Sequence, residues 1–375
     1  MKILIIMGGF LPGRKFGGPP VSVDNFCTLL CKDNECFILT HNHDLGEKMP
    51  YPDVHDGWND RGNCYVKYVC DSDYNYSTFK ATINEIKPDF LYLQGLFQEC
   101  VLPCLKIAKE ESIRVLLAPR GELCQGAFRK KYKKIPYIVF LKISGMLKNC
   151  WFQSTSQEET EAIRHIMGVS EDKILFLENI PSLPKKVYQH PAKKEGTANI
   201  VFVSRVVPKK NLDFAINCLR NCNGDVKYTV FGPLQDKEYW KQCQQKINDL
   251  PYNVKVQHKG ILSHEDINRE LSKYDAFLFP TKSENFGHVI VEAMLAGCLP
   301  IISDQTPWND INEYEVGWAL PLEKEELYNA AINEIIQYSE EDIENKRKQL
   351  RHYLEKRLKI DELREKYENA INMIK

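Results

Sequence analysis

Apolar runs of strand length alternate with helical patterns along the first half of the chain. The runs fall at Ile3–Met7, Cys36–Thr40, Tyr65–Val69, Phe90–Gln94, Val115–Ala118 and Trp151–Ser154, with helical periodicity between most of them. That alternation predicts a parallel sheet wrapped by helices. A second series begins at Asn199–Val203 and repeats the rhythm through Lys227–Phe231, Val254–His258, Phe277–Phe279 and Pro300–Ile302. Between the two series, Pro181 to Gly196 is rich in Pro, Lys and Gly and reads as a linker. Helical sequence closes the chain over Lys324–Tyr338 and Glu340–Lys375, with Glu and Lys spaced for i,i+4 pairs. The expected architecture is α/β: two doubly wound, Rossmann-like parallel-sheet domains facing a cleft. They span 1–183 and 198–355, joined by a linker over 184–197, and a helix over 356–375 packs back on the first.

Composition fits that division. A chain of 375 residues exceeds one ordinary core, and its 43% apolar content with 17 Phe, 18 Tyr and 5 Trp excludes disorder. Its 50 basic and 51 acidic residues leave a net charge of −1, so no global field recruits nucleic acid. The 13 cysteines are odd in number, scattered and contain no C-x-x-C pair, so neither a zinc site nor a disulfide framework is expected. Cys27/Cys31, Cys100/Cys104 and Cys218/Cys222 are read as small hydrophobes on helix faces, and so many free thiols suit a reducing compartment. Met1–Met7 has a strand pattern rather than that of a signal peptide, and no apolar run approaches a membrane span, so a cytoplasmic protein is expected.

Candidate chemistry gathers on the segments that follow strands, where doubly wound sheets bind ligands. From Thr281 to Pro300 the pattern is loop, short helix and strand, with Glu284 at the loop end and Glu292 inside a helix otherwise apolar on almost every side. A carboxylate there requires polar partners, and a helix opening near Asn285, Phe286 and Gly287 presents amides that favour an anion. Arg205 and Lys210 leave the first strand of the second series at a helix start, where two cations suit a diphosphate. After the first strand, Gly8 to Pro20 is glycine-rich but lacks the Gly-Lys-Ser/Thr ending of a P-loop, which excludes an ATPase of that class. No G-x-G-x-x-G follows it, which weakens a nicotinamide or flavin reading. Asp71-Ser-Asp73 has the form of a metal-binding D-x-D element but sits in a polar loop, Cys70 to Ser77, with no ligand-type partner nearby, and is read as a turn. The run Arg129 to Lys134, followed by aromatic and aliphatic residues, suits an anionic membrane surface or else a solvated helix face.

Taken together, these motifs resemble the GT-B glycosyltransferases of the large retaining family 4. Glu284 and Glu292 match that family's E-x7-E element, Arg205 and Lys210 its Arg-x4-Lys pair, and Phe231-Gly232-Pro233 the glycine-ended strand between them. Gly17-Gly18 resembles, less specifically, its paired-glycine loop. The resemblance implies retaining transfer of a hexose-type sugar from a UDP- or GDP-linked donor to a glycan acceptor, such as a lipid-linked oligosaccharide of a surface polysaccharide. It implies that Arg205 and Lys210 hold the diphosphate, that Glu292 takes the ribose and that Glu284 takes the sugar hydroxyls. The remaining donor set is Gly17, Gly18, Ile261, Asn285, Phe286 and Gly287, with no cofactor and no metal. Where family members often carry a histidine, this chain has Arg120, with Glu122 close by, and both are acceptor-side candidates. A phosphorylase or sugar-phosphate synthase and a catalytically silent nucleotide-binding subunit are the competing readings.

Overall fold

Two parallel sheets organise the chain. The computed structural model describes residues 1–124, 131–184, 186–263 and 266–374, without the side chains of Lys131 and Lys133. It divides into Met1–Ile180 with Ile360–Lys375 (unit 1) and Pro181–Lys359 (unit 2).

Unit 1 contains β1 (Lys2–Ile6), α1 (Gly18–Leu30), β2 (Glu35–His41), β3 (Trp58–Asp60), β4 (Tyr65–Val69), α2 (Tyr76–Ile86) and β5 (Phe90–Gln94). It continues with α3 (Val101–Glu110), β6 (Arg114–Ala118), α4 (Lys131–Ile143), β7 (Cys150–Ser154), α5 (Gln157–Met167) and β8 (Ile174–Phe176). The strand order is β3-β4-β2-β1-β5-β6-β7-β8, parallel except for β3 against β4. Successive side chains on β1 enter opposite cores: Ile3 and Ile5 pack on one face, Leu4 and Ile6 on the other, and all four are inaccessible to solvent. A sheet covered on both faces explains why its strands are apolar throughout rather than alternating.

Unit 2 contains β9 (Thr197–Val203), α6 (Leu212–Asn217), β10 (Asp225–Phe231), α7 (Lys237–Asn248), β11 (Val254–His258) and α8 (Ile267–Leu271). It is completed by β12 (Ala276–Phe279), α9 (His288–Leu295), β13 (Leu299–Ser303), β14 (Trp318–Leu320), α10 (Glu325–Gln337) and α11 (Glu340–Leu358). Its sheet runs β11-β10-β9-β12-β13-β14. The chain leaves β9 toward β10 on one side and later returns to β12 on the other, so the sheet has its switch point between β9 and β12.

Two expectations are refined. The last helix, expected over 356–375, starts at Ile360: Ser339 forms a capping box with Asp342 at the start of α11, and Lys359 turns left-handed (φ 42°) before α12 (Ile360–Ile374). α12 belongs to unit 1, where Tyr367 donates to the Glu178 carbonyl at 2.8 Å and Arg114 donates to the Ile374 carbonyl at 2.7 Å. The segment read as a linker over 184–197 is also held within unit 2. His190 bonds through Nδ1 to the Ser272 carbonyl at 2.8 Å, and Lys193 is buried with its ammonium on the Lys194 carbonyl at 3.1 Å. Prolines and lysines there mark an ordered extended segment rather than a free tether.

Candidate active site

At the switch point of unit 2, the loops after β9 and β12 are tied together. The Lys282 amide donates to the Lys209 carbonyl at 2.9 Å, and the Thr281 hydroxyl reaches the same oxygen at 3.3 Å. This stitching sets Lys210 against Glu284, which form an ion pair with both side chains largely buried. The Lys210 ammonium also lies 5.3 Å over the Phe279 ring. Burial pulls the Lys210 pKa below its ordinary value although Glu284 opposes the shift, and Lys209 and Arg205 add to the lowering. Arg205 lies beside this pair in sequence and donates to Gln235 at 3.2 Å.

The close approach of these strand ends depends on Gly232, which follows β10. Its φ is +135°, and a Cβ there would stand 1.8 Å from the Ser204 carbonyl oxygen, at the end of β9. Phe231-Gly232-Pro233 therefore lets the Arg205 loop fold over the sheet edge. The Gly232 carbonyl accepts from His258 Nε2 at 2.8 Å.

Helix α9 begins at His288, later than expected, because Gly287 is left-handed (φ 76°) and acts as its N-cap. The amides at the helix start are therefore those of Gly287, His288 and Val289, and Asn285 and Phe286 belong to the approach loop. Phe286 is fixed by Trp308, whose Nε1 donates to the Phe286 carbonyl at 2.6 Å while the rings meet edge to face. Trp308 was not legible as part of this site, since it comes from a separate loop. Glu284 gives its amide to the Gln305 carbonyl at 3.0 Å, and Glu292 is buried inside α9. Ile261, by contrast, is exposed on the loop after β11.

The unit 1 candidates are placed differently. Gly17 is left-handed at the start of α1, with Pro19 and Pro20 in the first turn after Gly18. Asp44 fixes the preceding loop by accepting the Arg14 and Lys15 amides at 2.9 and 3.1 Å. Arg120 has φ +54° and an inward guanidinium: it donates to Gln94 at 2.8 Å, to Asn179 at 3.0 Å and to the Tyr92 hydroxyl at 3.0 Å. Glu122 accepts from the Leu96 and Phe97 amides. Both residues thus order the ends of β5 and β6. Glu159, buried on α5, does the same by accepting from the Gly121 amide at 2.6 Å and from Thr155.

Asp71-Ser72-Asp73 is a turn, but Asp71 is not without ligand-type neighbours: His41 and His43 both approach it. The partners lie about thirty residues earlier in the chain, so local sequence did not expose them. Of the basic run, Arg129 and Lys130 lie outside the described residues, as do the side chains of Lys131 and Lys133. Lys134 points inward, onto the Phe97 ring and the Glu122 carbonyl.

Residues 185–357 match the family model described as Glycosyl transferases group 1, which covers nearly all of unit 2. The chain is 26% identical over 236 residues to an uncharacterized 41.2 kDa protein in the cps region of Klebsiella pneumoniae, covering 60% of this chain and 62% of that one. It is 22% identical over 217 residues to an uncharacterized glycosyltransferase of Methanocaldococcus jannaschii, covering 53% of each. The match thus spans less than two thirds of the length of these curated relatives. Among solved structures, Anabaena HepE in complex with UDP and glucose aligns over 99% of both chains with a TM-score of 0.70 and 15% identity. At that identity the likeness shows the fold: two parallel-sheet α/β units of the GT-B type.

Proposed function

We propose that this chain is a glycosyltransferase that moves a hexose-type sugar, with retention, from a UDP- or GDP-linked donor to a glycan acceptor. The observation that carries the reading is the buried pair of Lys210 and Glu284, beside Arg205, at the switch point of a unit matched by the Glycosyl transferases group 1 model. A buried lysine whose pKa burial has lowered gains most from an anion that replaces its lost hydration. The donor's diphosphate takes Lys210 over from Glu284, with Arg205 as second cation, and neutralises as it leaves without a divalent ion. Glu284, released, accepts hydrogen bonds from the sugar hydroxyls, and the buried Glu292 accepts from the ribose. The amides at the start of α9 face a phosphate, with Phe286 and Asn285 shaping the approach and Ile261 on the donor side. In unit 1, Gly17 and Gly18 admit the donor closely, while Arg120 and Glu122 shape the acceptor side by holding their loops. Departure and attack on one face of the sugar give retention, with the leaving phosphate receiving the acceptor's proton.

The cps-region relative and the UDP and glucose bound to HepE support a lipid-linked oligosaccharide acceptor and a UDP-hexose donor. No helix among the described residues is long and apolar enough to cross a membrane. Tyr132, Ile135, Val139, Phe140 and Ile143 form an exposed apolar row on α4, which supports peripheral contact with a membrane surface.

A thermal-shift series with UDP, GDP, ADP and their sugars identifies the donor, since a preferred ligand raises the midpoint by mass action. With that donor, Lys210→Ala and Glu284→Ala lower kcat/KM by about 10²–10³-fold, as loss of a fixed charge at a developing anion does. Either variant transferring sugar at the parent rate would sink the site assignment, and a product of inverted anomeric configuration would sink retention.

A further inference from the structure

Away from the donor-site residues, a group of lone pairs converges at the carboxyl edge of the unit 1 sheet. His41 ends β2, His43 follows two residues later, and Asp71 lies just after the parallel neighbour β4. The chain bends at Asn42 and His43 as it leaves β2, and both rings come to lie by Asp71. His43 Nε2 stands 2.7 Å and His41 Nδ1 3.0 Å from the same oxygen, Asp71 Oδ1, and the three candidate ligand atoms lie within 4.8 Å of one another.

The surroundings give each ring an acceptor on the side away from Asp71. His41 Nε2 is 2.8 Å from Glu99 Oε1, an acceptor, so that nitrogen carries the proton. His43 Nδ1 is 3.0 Å from the Asp44 carbonyl, again an acceptor that can take a proton from that nitrogen. The other two nitrogens both face Asp71: as protonated nitrogens they donate to it, as His43 Nε2 does at 2.7 Å, and in neutral rings protonated on the far side they turn lone pairs toward it. His41 is 9% exposed, and its Nδ1 is buried without a hydrogen bond. With neutral rings, three electron-pair donors facing one another repel unless a proton or a metal ion sits among them. Imidazole held from behind by a carboxylate or a backbone carbonyl is the arrangement that orients histidine on a metal.

We propose that His41 Nδ1, His43 Nε2 and Asp71 bind a divalent transition-metal ion of the zinc class, with Glu99 and the Asp44 carbonyl as the outer partners that set the rings. Two imidazoles and one carboxylate are a borderline N/O donor set suited to such an ion, and the largely exposed Asp71 leaves a fourth position for water. Bonds of about 2.0–2.1 Å place tetrahedral ligands roughly 3.3 Å apart, so the carboxylate withdraws by about half an ångström on binding. The ion joins the loops after β2 and β4. Through Asp44, whose carboxylate holds the Arg14 and Lys15 amides, it also steadies the glycine loop after β1. The site shares no residue with the Arg205, Lys210 and Glu284 cluster, and metal binding is measured directly rather than through sugar transfer. It departs from the sequence expectation that no metal is bound.

The test is zinc and cobalt binding to the full chain after chelator treatment, followed by calorimetry, metal analysis and visible absorption. One equivalent of zinc is expected, with the unfolding midpoint raised by roughly 5–10 °C at 100-fold excess over Kd. Cobalt should give visible d–d bands without the near-ultraviolet thiolate band that binding at cysteine would produce. His43→Ala and Asp71→Asn, checked for folding by circular dichroism, should lose at least 100-fold in affinity, and Glu99→Gln should lose about 10–100-fold. If Asp71→Asn binds zinc as tightly as the parent, or if cobalt reports thiolate ligation, the proposal fails. It also fails if neither ion binds and both histidines titrate as imidazolium ions, since protons alone then fill the cluster.

Discussion

At Gly232 a single added methyl group has nowhere to go. The neighbouring obstacle is backbone, and the φ of +135° is itself unfavourable for any side chain. Gly232→Ala should cost about 3 kcal/mol or more, which lowers the calorimetric midpoint of unit 2 by roughly 6–12 °C; a change under about 1 °C would refute the close approach. His190 makes a prediction in pH. Burial, reinforced by nearby Arg347, lowers its pKa from the ordinary 6.5, so the unfolded chain takes up a proton that the folded chain refuses. Its contribution to stability is therefore complete above about pH 6.5 and declines as the pH falls from there toward the folded pKa. His190→Asn, which keeps a donor for the Ser272 carbonyl, should flatten the acid side of the stability profile; an unchanged slope in urea titrations below pH 6.5 would contradict this. Residue-level legibility was uneven for a physical reason. Glu284 and Glu292 lie within one loop and helix, so spacing exposes them. The partners of Arg120 and Asp71 arrive from distant strands, and only tertiary structure brings them together.

At the scale of elements, the buried strands could be read nearly to their ends because both faces of each sheet are covered. The short edge pieces β3, β8 and β14 carry too few apolar positions to rise above the loops around them. The break was expected near residue 356 and falls at Lys359, because its neighbours continue a helical composition and a left-handed lysine has no compositional signature. Helix α4 shows the opposite case. The sequence drew attention to its charges, whereas the structure exposes its apolar row. Val139→Glu with Phe140→Glu should release the protein from vesicles containing anionic lipid while leaving its circular dichroism unchanged. Flotation equal to that of the parent would remove α4 as the contact.

For the molecule as a whole, the two α/β units were legible from the two strand series. A last helix packing back on the first domain was expected over 356–375, and α12 groups with unit 1 from Ile360. Leu363, Tyr367, Ala370 and Ile371 enter the core that β1, β5 and α1 share. Ending the chain at Lys359 removes burial worth on the order of 5–10 kcal/mol, comparable to the whole stability of a domain. The unit 1 transition should disappear from calorimetry and dye-accessible apolar surface should appear, with the unit 2 transition kept. Retention of both transitions would show that α12 is dispensable.

Because unit 1 is assembled from two separated stretches of chain, it also has a delayed birth. A ribosome that has made its first 180 residues must still make all of unit 2 before α12 exists. At about 5–20 residues per second that interval is roughly 10–40 s. Through it the nascent sheet carries an uncovered apolar strip beside α1, while unit 2 has all of its own sequence and is free to fold first. The segment that finishes the older half of the protein is synthesised only after the younger half, which makes that strip a natural place for a chaperone to wait.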